Sequence, residues 1–187
     1  MKGNEILHAR LAAIKDGLGR AGIRWGVFAG AAAYCYGSRR EVTDIDILVR
    51  VEDLHEAKIA LKNINIDCID VVANLEIQTN HGNFRFFMDD EMVERIRWKQ
   101  LFGVSIPVIP VEDNIIFKAI AQREEDQRKH DLEDLRCMIE NEEIDLKYLE
   151  KRIRKFRAYG RIGLLLQPMF RDARMRRKQR PRNTCGK

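Results

Sequence analysis

Asp44 and Asp46 stand two residues apart in Thr43-Asp44-Ile45-Asp46-Ile47-Leu48-Val49, two carboxylates set into an apolar run. An extended strand turns residues i and i+2 to the same face, so the two acids project together while Ile45, Ile47 and Val49 point the other way. Adjacent carboxylates repel, and a divalent cation is the strong counter-charge for paired oxygen ligands. Asp70, in Ile69-Asp70-Val71, is a third acid between apolar neighbours, a candidate metal ligand or base. Upstream, Gly30-Ala31 opens a helix-length stretch directly after an apolar run. The free N–H groups and dipole of such a helix start favour a phosphate. Three acids, a divalent ion and bound phosphates suit phosphoryl or nucleotidyl transfer, which depends mainly on positioning and charge neutralisation.

Each of these residues has a plainer alternative. Asp44 could only cap a strand and Asp46 only face solvent. Arg40 suits bidentate phosphate contact but could instead pair with a nearby acid. Lys118 could be an exposed helical lysine, and Arg123, Lys129 and Asp134 a salt-bridged helix surface. His130 reads as structural or surface, and Trp25 and Trp98 read as packing residues because each sits among apolar strand residues.

The elements that must carry these groups follow from hydrophobic spacing. Leu7, Leu11, Ile14 and Leu18 predict a first helix from Asn4 that ends near Gly22. A buried strand over residues 23–29 is followed by a helix from Gly30 to Tyr36, closed by Gly37. The acidic strand spans residues 44–51, and Leu54, Ala57 and Leu61 mark a third helix. Residues 66–73, 84–88, 92–98 and 104–109 read as further strands, with Asp89-Asp90 as a turn. After Pro110 the spacing becomes helical: Ile116 with Ile120, Leu132 with Leu135 and Ile139, Leu146 with Leu149 and Ile153.

The chain has 187 residues, 45% of them hydrophobic, enough for one main core. Four scattered cysteines (35, 68, 137 and 185) with no C-x-x-C pair suggest neither a zinc knuckle nor a disulfide scaffold. With no apolar signal core and no run of membrane-spanning length, the expected setting is soluble and cytoplasmic, without a membrane partner. The net charge of +5 is unevenly spread: residues 151–187 hold 14 basic groups and one acid, and residues 1–150 hold 20 basic and 28 acidic groups. A basic arm of this kind either holds a polyanion such as RNA or tRNA by counterion release or is a solvated tail.

The pattern resembles the nucleotidyltransferase superfamily built on the DNA-polymerase-beta-like fold. Gly30-Ala31, Asp44-Ile45-Asp46 and Ile69-Asp70-Val71 stand where that family has its helix-start Gly pair, D-h-D and h-D-h strands. Tyr36-Gly37, Arg40 and Thr43 extend the match toward its AbiEii-type and stand-alone branch. Glu112-Asp113 leading to Lys118, and Asp131-Leu132-Glu133-Asp134-Leu135, are similar to two helices of that branch. Ala31 departs from the usual Gly or Ser and lacks the hydroxyl.

The resemblance implies an α/β (α+β) fold with a mixed, largely antiparallel sheet flanked by helices. The expected division is a catalytic core over 1–110, a packed helical segment over 111–157 and a basic, flexible tail over 158–187. The implied reaction moves a nucleoside monophosphate from an NTP to a hydroxyl of RNA, protein or a small molecule, with Mg²⁺, or Mn²⁺ in its place. Asp44, Asp46 and Asp70 would bind metal and serve catalysis. Gly30, Ala31, Arg40, Thr43, Lys118 and Asp131 would meet the nucleotide, Lys118 near its phosphates. The rival expectation is a weak or inactive nucleotide- or RNA-binding member of a toxin–antitoxin-like pair.

Overall fold

Leu11, Ile14 and Leu18 recur at helical spacing and are fully buried along α1 (Lys2–Arg20). Gly17 lets α1 approach α3 (Leu54–Leu61) closely, since a side chain there would meet the Ala60 carbonyl at 3.2 Å. The computed structural model describes residues 2–62, 69–79, 82–121 and 130–179.

β1 (Trp25–Phe28) is apolar and buried throughout, as expected of a strand enclosed on both sides. It pairs antiparallel with β2 (Ile45–Val49) and parallel with β7 (Val104–Val108). β2 pairs parallel with β3 (Ile69–Val72), and β7 antiparallel with β6 (Arg97–Leu101). The five-stranded sheet thus runs β3-β2-β1-β7-β6, with parallel and antiparallel pairings in equal number. A separate antiparallel pair, β4 (Asn74–Thr79) and β5 (Gly82–Phe87), carries Phe86 to Phe156 and Phe117.

α2 (Ala29–Cys35) leaves β1 without an intervening loop. α5 (Val111–Ile120), α6 (Asp131–Asn141) and α7 (Leu146–Lys155) follow the sheet, as the change of spacing after Pro110 predicts. A buried ionic network fastens α7 to the core. Arg152, fully buried, places Nε 2.6 Å from Asp113 Oδ1 and Nη1 2.5 Å from Asp89 Oδ2, and Tyr148 donates to Asp113 Oδ2 at 2.6 Å.

Three sequence expectations need correction. Residues 90–94 form a short helix, α4, instead of opening a strand. Asp89 caps it by accepting from the Met92 N–H at 2.9 Å, and acids fill its first turn. Trp98 is 62% exposed on β6, an edge strand, and is not a packing residue. The segment expected as a flexible tail begins with α8 (Tyr159–Gln179), which buries Ile162 and Leu166 in the core just after the buried Ala158. Residues 180–187, like Cys68, Arg123 and Lys129, lie outside the described residues.

Candidate functional site

The site gathers where β1 ends and β2 and β3 begin. Phe28 is paired with Asp46, and Asp46 with Asp70, so two of the acids are direct neighbours across the β2–β3 ladder. Asp44 lies one residue before β2, exposed, and accepts a hydrogen bond from Thr43 Oγ1 at 3.3 Å. Asp46 is the residue of β2 that is not fully buried. Burial first, then the charges of Asp44 and Asp70, push its carboxyl up to about 6, against the opposing pull of Lys118 and Arg40. The three acids therefore act on one another electrostatically.

A basic group lies behind them. Lys118, 5% exposed on α5, places Nζ 2.8 Å from Asp131 Oδ1 and 2.8 Å from Asp134 Oδ2. Asp134, fully buried, also accepts from Ser38 Oγ at 2.8 Å and lies 3.5 Å from Arg40 Nε. The Arg40 guanidinium lies over Gly30: a Cβ built there would stand 1.8 Å from Nη2. Gly30 thus makes room for an arginine, where the sequence suggested room for a phosphate.

The turn from β1 into α2 holds Ala29 at φ +56°, a left-handed conformation that costs a non-glycine residue about 1 kcal/mol or more. Asn114 of α5, fully buried, clamps it from both sides. Its Oδ1 accepts from the Ala29 N–H at 2.8 Å, and its Nδ2 donates to the Ala29 carbonyl at 3.2 Å. Tyr36 ties the other end of α2 to the sheet by donating to the Ile109 carbonyl at 2.6 Å.

The structure therefore brings Asp44, Asp46, Asp70, Gly30, Arg40 and Lys118 into one region. Ala31 is buried in α2, Thr43 contacts Asp44, and Asp131 holds Lys118. Sequence reasoning missed Ser38, Asn114 and Asp134 as parts of this region. The available signal was Glu112-Asp113-Asn114, three consecutive polar residues between Val111 and Ile115, all buried.

Among the described residues no three metal-ligating side chains converge closely enough to form a ready cage. The fit to a cation rests on other grounds: the donors are hard carboxylate oxygens, and a divalent ion would relieve the repulsion that raises Asp46. On that basis the carboxylates of Asp44, Asp46 and Asp70 have the chemistry to suit a hard divalent cation.

This arrangement, a mixed sheet with acids at one end of β2 and β3 under a helical layer, is a nucleotidyltransferase fold. Residues 72–161 match a family described as "Nucleotidyl transferase of unknown function (DUF2204)". That span contains Lys118, Asn114, Asp131 and Asp134 and begins two residues after Asp70. The solution structure of the antibiotic-resistance factor ANT(2'')-Ia shares the fold at a TM-score of 0.53 and 12% identity, covering 84% of this chain and 94% of its own. A crystal structure of ANT(2'')-Ia with adenylyl-2''-tobramycin aligns at 0.48 and 13% identity, over 84% and 98% of the two chains. No curated protein matches the sequence. The family match covers just under half of the chain, and the shared fold extends over most of it, so the chain is similar to nucleotidyltransferases in both sequence and architecture.

Proposed function

We propose that the chain transfers a nucleoside monophosphate from an NTP to a hydroxyl acceptor and releases pyrophosphate. The observation that carries this reading is the cross-strand pairing of Asp46 with Asp70, beside Asp44, with Lys118 and Arg40 acting on Asp46 from behind. A cluster of like charges this close to two cations is costly to keep unless a ligand uses it.

Asp44 and Asp46 would hold the cation, and Asp70 would complete its site or take the proton of the attacking hydroxyl. A bound Mg²⁺ would neutralise the developing charge on the phosphates and orient them for in-line attack. Arg40, exposed on one side, would meet the triphosphate directly, while Lys118, tied to Asp131 and Asp134, would add a fixed positive charge behind it. Asn114 would keep the β1–α2 turn, and with it Gly30 and Arg40, in place.

The test is label transfer from each of four NTPs, labelled in the α-phosphate, with Mg²⁺ and three acceptor classes: bulk tRNA, protein and a hydroxyl-rich small molecule. Transfer that is lost in Asp46→Asn supports the reading and identifies the acceptor. No transfer to any acceptor, with NTP binding unchanged in Asp46→Asn, overturns the metal site and favours the non-catalytic alternative.

A further inference from the structure

A groove of about 1140 Å³ opens at the opposite end of β1 from the carboxylates. Trp25 on its wall is paired with Val49, whereas Phe28 is paired with Asp46, so the groove begins about 10 Å farther along the strand. Its sides are the C-terminal half of α1, the end of β2, α4 and the edge strand β6. None of the residues assigned above to nucleotidyl transfer lines it.

Two features of the lining point to a ligand class. Trp98 is the most exposed large apolar side chain among the described residues, with the Lys15 ammonium 5.7 Å from its ring centroid. Four cations (Lys15, Arg20, Arg24 and Arg50) line the groove, against two acids, Asp16 and Glu94. Arg50 is paired with Asp90 and Glu52, but Lys15, Arg20 and Arg24 have no carboxylate partner among the described residues. This cationic patch lies on a body whose first 150 residues carry eight more acids than bases, so its charge runs against its surroundings.

We infer that this groove binds single-stranded nucleic acid, with a base stacked on Trp98 and the neighbouring phosphates on Lys15, Arg20 and Arg24. An aromatic ring this exposed gives sequence-tolerant stacking, and cations beside it can hold the phosphate backbone. A protein partner fits less well, because the cores of protein interfaces are depleted in charge and especially in lysine. The inference does not depend on the carboxylate site, since binding is read without NTP or Mg²⁺.

The test uses the full chain and a fluorescein-labelled 12-nucleotide single-stranded RNA of mixed sequence, with anisotropy recorded from 50 to 300 mM salt. The C-terminal basic residues are kept in every protein, so their contribution is a constant background. Trp98→Ala is expected to weaken binding roughly tenfold with the salt slope unchanged, and Trp98→Phe to restore most of the loss. The double variant Arg20→Ala/Arg24→Ala is expected to lower the salt slope by roughly 1.4, two phosphate contacts on a single strand. All the altered side chains are exposed, so an unchanged thermal midpoint verifies the fold. Affinity and slope that stay at the unaltered protein's values in both variants overturn the inference. So does a Trp98→Ala protein that binds RNA normally but loses self-association in sedimentation, which would make the groove a protein interface.

Discussion

At the scale of the residue, Asp46 is held in a raised state by burial and by two neighbouring acids. Its carboxyl titrates near 6, above the ordinary value of about 3.9. The folded chain therefore holds this proton more tightly than the unfolded chain does, and the residue's contribution to stability falls as pH rises from about 4 to 6. Asp113, also raised to about 6 by burial despite Arg152, acts in the same window, so a stability profile would mix the two. Metal affinity separates them, because only Asp46 lies among the proposed ligands. Mg²⁺ binding is expected to weaken by up to about tenfold per pH unit below 6 and to level off above it. Calorimetric titration at pH 5, 6 and 7 checks this, and a flat profile would refute the assignment. Asp46→Asn is expected to lower turnover by about a hundredfold or more, the loss of several kcal/mol of charge stabilisation.

At the scale of the element, the β1–α2 turn depends on a residue 85 positions away. Asn114→Ala removes both halves of the clamp and is expected to cost about 1–3 kcal/mol, read from the denaturant midpoint. Ala29→Gly alone is expected to add stability, because glycine accepts a positive φ freely. In the Asn114→Ala background it should recover part of the loss, and strictly additive effects in the double variant would contradict a clamp. Arg152→Met tests the α7 network. It leaves Asp89 and Asp113 without their shared partner and is expected to destabilise the fold by about 3–5 kcal/mol, with a matching fall in Tm.

Much of this scale was legible in the sequence, and the reasons are physical. α1 and α3 carry helical periodicity, β1 and β2 are short apolar runs, and Gly30 and Gly37 bracket α2, so local spacing and composition settle them. α4 was misread because Met92-Val93 has strand-like composition, while the cap formed by Asp89 decides the matter. β4 alternates exposed and half-buried residues with little apolar weight, and only its pairing with β5 makes it a strand. Ser38, Asn114 and Asp134 act through partners 85 to 96 positions away in Asn114 and Ser38–Asp134 contacts, and no local pattern reports such distances.

At the scale of the whole molecule, the chain is acidic through residue 150 and basic beyond it, a change of sign that begins in the last turns of α7 and continues along α8. The helix is both core and surface: Ile162 and Leu166 are buried, while Gln167, Arg171 and Asp172 are exposed. Cutting the chain after Arg157 removes the buried Ala158, Ile162 and Leu166, and is expected to destabilise the protein by about 3 kcal/mol or more. A thermal melt of this truncated protein distinguishes a helix that completes the core from an appended arm. Among the described residues no helix is long and apolar enough to cross a membrane.

The position of Arg40 over Gly30 bears on how tightly a nucleotide can be held. A free arginine side chain gives up about 2 kcal/mol of rotamer entropy when it is fixed. Here the bare glycine and the ion pair with Asp134 fix the guanidinium as the chain folds, so that ordering would already have occurred when the triphosphate of the proposed reaction arrives. Gly30→Ala would drive the arginine off its seat and return the cost to the binding step. Weaker NTP affinity, with an unchanged acceptor KM, is the signature to expect from that one added methyl group.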